Sequence, residues 1–443
     1  MNRKEILIGV VALSMLSTPL SAQRTWSLRE CIDYALEHNI TVKKQITNVH
    51  KQEVQLSTAR NSRLPSLDAS ISENLSFGRG KDDLGTYINR NTSSTDFSLS
   101  TSVPLFTGFQ IPNTIKMNRL NLEAATASLE AVRNDIRTQV AKAYTQVLYD
   151  MEISGVAQRQ VEIDSLQVVR MEGLFENGKA SGAQLSQQRS TLAHSRLTAT
   201  QADNQLNLSL LALTQLLELP SMEGFSVKVP ALTDEGVWTT QVPLPDVIYA
   251  EALEVRPEVQ AGRHSVLAAD YSIKIARAGY YPKLNFMAGL GTSYNHVSGY
   301  ELDSFGRQLK NNFNQSLGLS LSIPIFNRFQ TRNNIRSARY DKELQSLTLE
   351  DTKKKLYKEI QQAYYNTIGA QDKYVSSLAA VKSSADAFRL MQAKYENGKA
   401  TLTEFNESKV NYLKAESEAI QARYECLYQY SLINFYRGRD LDF

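Results

Sequence analysis

The feature that most constrains this chain is that it is written twice. Met171-(x4)-Glu176-Asn177-Gly178-Lys179-Ala180 recurs 220 positions later as Met391-(x4)-Glu396-Asn397-Gly398-Lys399-Ala400. The same offset carries Val103-Pro104-Leu105-Phe106-(x2)-Phe109 onto Ile323-Pro324-Ile325-Phe326-(x2)-Phe329, and Ala143-Tyr144 onto Ala363-Tyr364. Upstream, Ala59-Arg60-(x4)-Pro65 matches Ala276-Arg277-(x4)-Pro282 at an offset of 217, which places a three-residue insertion in the second copy. A chain built this way folds as two related supersecondary units rather than as the three ordinary domains that 443 residues would suggest. The predicted division is 1–22 signal peptide, 23–219 first repeat, 220–245 linker carrying Pro and Gly, 246–437 second repeat and 438–443 tail.

Each copy has the same internal order. A helical stretch (28–59; 247–276) ends at Pro65 or Pro282, and the apolar period then changes from 3.6 to 2. Leu317, Leu319, Leu321 and Ile323 alternate with Gly318, Ser320 and Ser322, and Phe97 and Leu99 alternate with Ser98, Ser100 and Ser102. Preceding strands are expected over 67–77 and 284–294, with polar hairpin loops over 78–94 and 296–311, giving four strands. A long Pro-free helix follows in each copy (113–176; 331–396), on the order of 100 Å at 1.5 Å per residue. It carries coiled-coil spacing, as at Leu378, Val381, Ala385 and Phe388. The Asn-Gly-Lys turns then reverse the chain into return helices (183–219; 403–436), with Gly suited to a left-handed helix cap.

Composition bears on where such a chain works. Lys+Arg 49 against Asp+Glu 46 nearly cancel, so bulk charge names no partner, and 11 Pro with 21 Gly favour long uninterrupted elements. The opening residues read as a basic tip (Arg3, Lys4), an apolar stretch from Ile6 to Leu16 and a small-residue exit at Ser21-Ala22, the pattern of a secretory signal peptide. That stretch is too short for a membrane span of about 20 residues, and no later run replaces it. An exported chain of this kind can enter a membrane only by strands, which must close into a barrel. Spanning barrels begin at about eight strands, so four per chain require oligomers: two copies give eight, three give twelve. Phe106, Phe109, Phe326 and Phe329 sit where strand becomes helix, the place of membrane-interface aromatics; ordinary core rings under the joint are the alternative.

Catalytic and cofactor chemistry finds no support. Gly173 to Lys179 satisfies GxxxxGK, but Ala180 stands where a phosphate loop needs Ser or Thr, and the upstream residues are helical. The five histidines share no metal-ligand spacing, so no metal, cofactor or enzyme activity is expected. Basic residues are interspersed with acids, which describes solvated helix faces rather than a nucleic-acid surface. Cys31 and Cys426 read as small buried residues. Glu404 and Glu407, an i, i+3 pair just after the second turn, lie on one helix face. In a threefold assembly they make six carboxylates that concentrate cations; a solvated helix start favoured by the dipole is the alternative.

The order of elements, the paired strand-to-helix joints, the two Ala-Tyr pairs and the two Glu-Asn-Gly turns resemble the TolC family of bacterial outer-membrane efflux channels, over essentially the whole mature chain. The resemblance implies an α+β fold: long antiparallel helical hairpins form a periplasmic α-barrel tunnel, and four strands per chain contribute to a shared 12-stranded barrel in the outer membrane. It implies a homotrimer, a periplasmic adaptor protein and, through it, an inner-membrane pump, in an efflux or type I secretion system. A secreted coiled-coil structural or adaptor protein without a pore is the alternative. The resemblance places Glu404 and Glu407 at the acidic periplasmic entrance, and the tips Asn177, Gly178, Lys179, Asn397, Gly398 and Lys399 against the adaptor; plain helix-hairpin turns are the alternative for the tips. Family gates join a Tyr and an Arg near the second turn to an Asp after the first. Here Tyr395 matches the Tyr, Gln184 occupies the Asp position and Ala400 the Arg position, with Lys399 beside it. A Tyr395–Gln184 hydrogen bond is the expected counterpart, with closure resting more on packing than on ion pairs.

Overall fold

The computed structural model describes residues 25–81, 85–230 and 241–441. The predicted signal peptide lies outside the described residues, as do 231–240 of the predicted linker and 442–443 of the predicted tail. In chain order the elements are β1 (Thr25–Trp26), α1 (Leu28–His38), α2 (Ile40–Asn61), β2 (Ser66–Ser76), β3 (Arg79–Lys81), β4 (Tyr87–Asn89), β5 (Thr92–Phe106), α3 (Gln110–Glu176) and α4 (Gly182–Leu216). Then come β6 (Ser226–Val227), α5 (Pro245–Val255), α6 (Pro257–Arg277), β7 (Lys283–Val297), α7 (Phe305–Asn311), β8 (Asn314–Ser322), α8 (Gln330–Glu396) and α9 (Leu402–Tyr436). The helices α3 and α8 have 67 residues each, and α4 and α9 have 35 each, so matched sequence blocks give matched helix lengths.

Three local differences from the sequence expectation have physical causes. The predicted first helix of each copy is two helices. In the second copy Pro257 has no N–H to continue α5, and it holds Arg256 extended at φ −75° and ψ 122°. In the first copy Asn39 does the same work, its backbone closing α1 while its side-chain oxygen accepts from the Thr41 N–H at 2.8 Å. The helix α3 starts at Gln110 and takes Pro112 into its first turn, where a missing N–H has no partner to lose. Finally, the predicted hairpin loops are structured: β3 and β4 form a small hairpin in the first, and α7 forms in the second.

Two compact units are present, one of them built from Thr47–Ser128 and Glu258–Thr352. Its centre is an antiparallel sheet of order β2-β5-β7-β8. The register pairs Ile71 with Phe97, Leu99 with Leu290, Phe286 with Leu319 and Leu284 with Leu321, which gathers the apolar set on one face. The other face carries Ser70 against Ser98, Ser100 against Gly289 and Asn285 against Ser320. The apolar face is not covered: Leu317 is 80% exposed and Ile71 72%. Among the described residues the outer edges of β2 and β8 pair with no strand. At the far end of β7, beyond the last β8 partner, α7 covers the open edge. The Gln308 side-chain amide accepts from the Asn295 N–H at 2.9 Å and donates to the Asn295 carbonyl at 3.0 Å, taking the place of a strand residue.

The second unit comprises the remaining segments, and among its described residues the regular structure is helical apart from the two-residue parallel pair of β1 with β6. Tyr144 of the repeated Ala-Tyr pair is buried and donates to the Lys228 carbonyl at 2.5 Å, pinning the chain that follows β6. Its counterpart Tyr364 is half-buried and packs edge-on against Tyr365. Cys31 and Cys426 are fully buried, and burial pushes their thiols up to about 12 and about 11, so both serve as small core residues. No helix among the described residues is long and apolar enough to cross a membrane.

Candidate functional site

The second unit contains both helix-hairpin tips, and their geometry repeats. In each, the Gly stands at φ +69°, where a left-handed residue ends the helix. The N–H of Gly178 donates to Phe175 O and that of Lys179 to Leu174 O, while Gly398 and Lys399 donate to Tyr395 O and Lys394 O. Each is a Schellman closure. Asn177 and Asn397 each donate their side-chain amide to the carbonyl four residues back, at 2.7 Å in both cases. All six tip residues are exposed with their nearby carbonyls satisfied, a solvent-facing turn closed by its own hydrogen bonds. Gly398→Ala is expected to destabilise the turn by about 1–2 kcal/mol, because an L side chain is placed in the left-handed region; thermal unfolding of the variant measures it.

The return helices also begin alike. Ser181 and Thr401 are N-caps of capping boxes closed by Gln184 and Glu404. Glu404 accepts from the Thr401 N–H at 2.7 Å and from its hydroxyl at 2.8 Å, and these bonds hold its carboxyl below the ordinary glutamate range. Glu407 is exposed and makes no hydrogen bond or ion pair among the described residues. The two glutamates therefore differ: one is tied to the helix start, the other points free into solvent.

Tyr395 and Gln184 are not joined within the chain. The Gln184 side-chain amide oxygen accepts from the Ser181 N–H at 2.8 Å. Tyr395 instead stacks on fully buried Phe405, with centroids 4.8 Å apart, and Arg170 stands 5.8 Å from its ring centre. Arg170 also donates to the Glu396 carbonyl at 3.2 Å and lies 3.8 Å from its carboxylate. Burial pushes the Tyr395 hydroxyl up from its usual value, against the pull of Arg170. Lys399 stands in the exposed turn and makes no side-chain bond among the described residues. Arg170 escaped the sequence reading, although one signal was available: its counterpart in the second copy is Leu390.

A ladder of charged rungs ties α3 to α9, seven residues apart along α9, and it was equally invisible in the periodicity. Lys409 pairs with Asp164 at 2.5 Å, Glu416 with Arg159 at 2.9 Å, and Arg423 with Glu152. The first rung is buried, with Lys409 2% and Asp164 0% exposed. Asp164 further accepts from Ser195 of α4 and Gln160 of α3, each at 2.5 Å. At the third rung, buried Tyr424 donates to Glu152 at 2.6 Å. Lys409 shares the buried stripe of Phe405, four residues before it, and a lysine in such a stripe is the only trace of this network that the sequence carries.

The strand-to-helix joints lie in the sheet-bearing unit. Phe106 meets Phe109 edge-on at 5.3 Å, and Phe326 meets Phe329 at 5.5 Å. All four rings are exposed. Each joint turns through two left-handed residues, Gly108 and Phe109 in one copy and Arg328 and Phe329 in the other. Gly108 has no alternative, since a Cβ there would lie 2.7 Å from that of Tyr281. Among the described residues no three His, Cys, Asp or Glu side chains gather in a metal-holding group.

The sequence pattern of the outer membrane efflux protein family matches residues 31–218 and 248–432, one match to each repeat. Outer membrane protein OprJ of Pseudomonas aeruginosa is 24% identical over 377 residues, covering 84% of this chain and 75% of that protein. Outer membrane protein TolC of Escherichia coli K12 is 23% identical over 435 residues, covering 96% of this chain and 84% of that protein. The crystal structure of the Campylobacter jejuni CmeC outer membrane channel superposes with a TM-score of 0.78 at 18% identity, over 94% of this chain and 87% of that one.

Proposed function

The chain belongs to the outer membrane efflux protein family, and from that premise we propose that three copies assemble into the outer-membrane exit duct of a tripartite export system. The observation that carries this reading is the four-stranded sheet, with an exposed apolar face of Leu, Ile and Phe, a second face rich in Ser, Asn and Gly, and two edges unpaired among the described residues. In hydrocarbon each unsatisfied backbone group costs several kcal/mol, so such a sheet has to close on further strands. Three copies supply twelve, above the minimum of about eight. A coiled-coil rod without a pore has no use for this sheet. No bond is made or broken in the duct; an inner-membrane pump, reached through a periplasmic adaptor, supplies the energy.

The site residues take their roles from this assembly. The tips Asn177 to Lys179 and Asn397 to Lys399 are the surfaces offered to the adaptor, and their exposure and internally bonded turns support that role. Phe106, Phe109, Phe326 and Phe329 form the periplasmic aromatic belt. From Phe106 back along β5 to Phe97 is nine residues, about 30 Å of strand or about 23 Å of height at a 40° tilt, which suits an apolar band of about 25 Å. Glu404 and Glu407, repeated threefold, form the acidic entrance, and Tyr395 with its Phe405 and Arg170 neighbours stands beside it as the gate candidate, with Gln184 and Lys399 at the flanking turns.

The test is to purify the full-length protein from the outer-membrane fraction, count subunits by cross-linking and record single-channel conductance. Three subunits and a conducting pore are expected; a monomer that conducts nothing ends the reading. Glu404→Gln with Glu407→Gln is expected to reduce cation preference, measured as a shift in reversal potential. Because the Thr401 bonds depress the Glu404 pKa, its charge is present through the ordinary glutamate range and is lost only as pH falls through a midpoint below it. Thr401→Ala should move that midpoint upward in the pH dependence of the reversal potential.

A further inference from the structure

At the end of the sheet remote from the strand-to-helix joints, the apolar face is recessed. A groove of about 310 Å³ is lined there by Ile71, Phe97, Leu99, Leu290, Thr292 and Phe313. Its origin is the end of β8: the last pair is Gly291 with Asn314, so beyond it the sheet has three strands, and Phe313 stands as a wall where a fourth would run. The wall is held in place by α7. Phe305 packs edge-on against Tyr294 at 5.2 Å and against Phe97 at 6.5 Å, while Gln308 is bonded to both backbone groups of Asn295 and Asn312 donates to Ser293 O at 2.7 Å. The polar atoms around the groove are already used. The Thr292 hydroxyl donates to Leu309 O at 2.6 Å, and the Ser70 and Ser98 hydroxyls lie on the opposite face, bonded to each other at 2.7 Å.

A recess with apolar walls and consumed polar groups takes hydrocarbon and discriminates against anything that needs hydrogen bonds. It is continuous with the face assigned to lipid above, so the occupant closest to hand is a lipid tail. We propose that this groove is a fixed acyl-chain site at the extracellular rim of the barrel, in which α7, Phe305 and Phe313 hold one lipid tail against β2, β5 and β7. The proposal rests on the reading of the sheet as membrane-spanning. A retained tail would fasten the short β8 end, where the edge of β7 is covered by a side chain rather than by a strand.

The test uses the full-length protein reconstituted in vesicles containing phosphatidylglycerol with a diazirine on its acyl chain, irradiated and mapped by peptide mass spectrometry. Adducts are expected to concentrate on Phe97, Leu290 and Phe313 over Leu319, which lies on the same face outside the groove. Ala69→Phe, which fills the groove from an exposed position, should lower the groove adducts about five-fold, the factor expected for one or two lost methylene contacts. The Leu319 adducts should remain. Phe313→Ala, which removes the wall, should have the same effect. Adducts spread evenly along the face and indifferent to both variants overturn the site while leaving the barrel intact. Failure to label Leu319 as well would instead sink the membrane reading itself.

Discussion

Lys409→Met is expected to destabilise the solubilised protein by about 3–5 kcal/mol, the penalty for stranding a buried charge. Asp164 would keep its bonds from Ser195 and Gln160 but lose the Lys409 cation, the one paired with it among the described residues, at a position 0% exposed. Adding Asp164→Asn to the same chain should recover much of the loss, because the uncompensated charge disappears while a hydrogen-bonding amide remains. Arg159→Met provides the contrast. That rung is open to solvent, with Arg159 56% exposed, and its removal should cost no more than about 1 kcal/mol. Denaturant midpoints at unchanged slope measure all three. Equal losses at Lys409 and Arg159 would mean that burial does not govern the ladder.

Leu319→Arg is the second large effect. Leu319 lies mid-strand on the apolar face of β8, paired with Phe286. A cation near the bilayer midplane of a barrel costs about 2–4 kcal/mol, so folding into vesicles should weaken by that amount. Ser320→Arg, one residue along on the opposite face, should be tolerated and should instead alter ion selectivity. The pair separates a lipid-facing from a lumen-facing surface by a single step along one strand, which is the period of the sheet. Comparable losses at both positions would contradict the assignment of faces.

Much of this molecule was legible because periodicity reports burial. The alternation of Leu317, Leu319 and Leu321 with Gly318 and Ser320 identifies the strand and its two faces, and the recurrence of the Asn-Gly-Lys turn locates both helix reversals within a few residues. The breaks in the first helices were legible only in part. Pro257 announces its own break, but at Asn39 the signal is a side chain folding back on its backbone, and nothing distinguishes that asparagine from others in a helix. The loop helix α7 is a similar case, since Gln308 becomes a strand substitute only because the unpaired Asn295 backbone stands beside it.

The candidate site divides in the same way. Tip residues were legible because a Gly-terminated hairpin is a local construction. Tyr395 was expected to meet Gln184, yet its neighbours are Phe405 and Arg170, while the Gln184 side-chain oxygen caps its own helix start. Glu404 is likewise both an exposed carboxylate and a cap, and its sequence spacing with Thr401 fits the two descriptions equally.

By itself the sequence determined the duplication, the kinds and order of the elements, the faces they bury and hence the class of object: a protein with helical hairpins and too few strands to close alone. Only the tertiary structure decided how polar groups far apart in the chain are paired. Lys409 and Asp164 are separated by 245 positions, and neither residue type nor spacing says that they meet. The physical reason is that burial of apolar surface is nondirectional and repeats with the backbone period, whereas a buried ion pair or hydrogen bond exists only where two particular atoms come within about 3 Å.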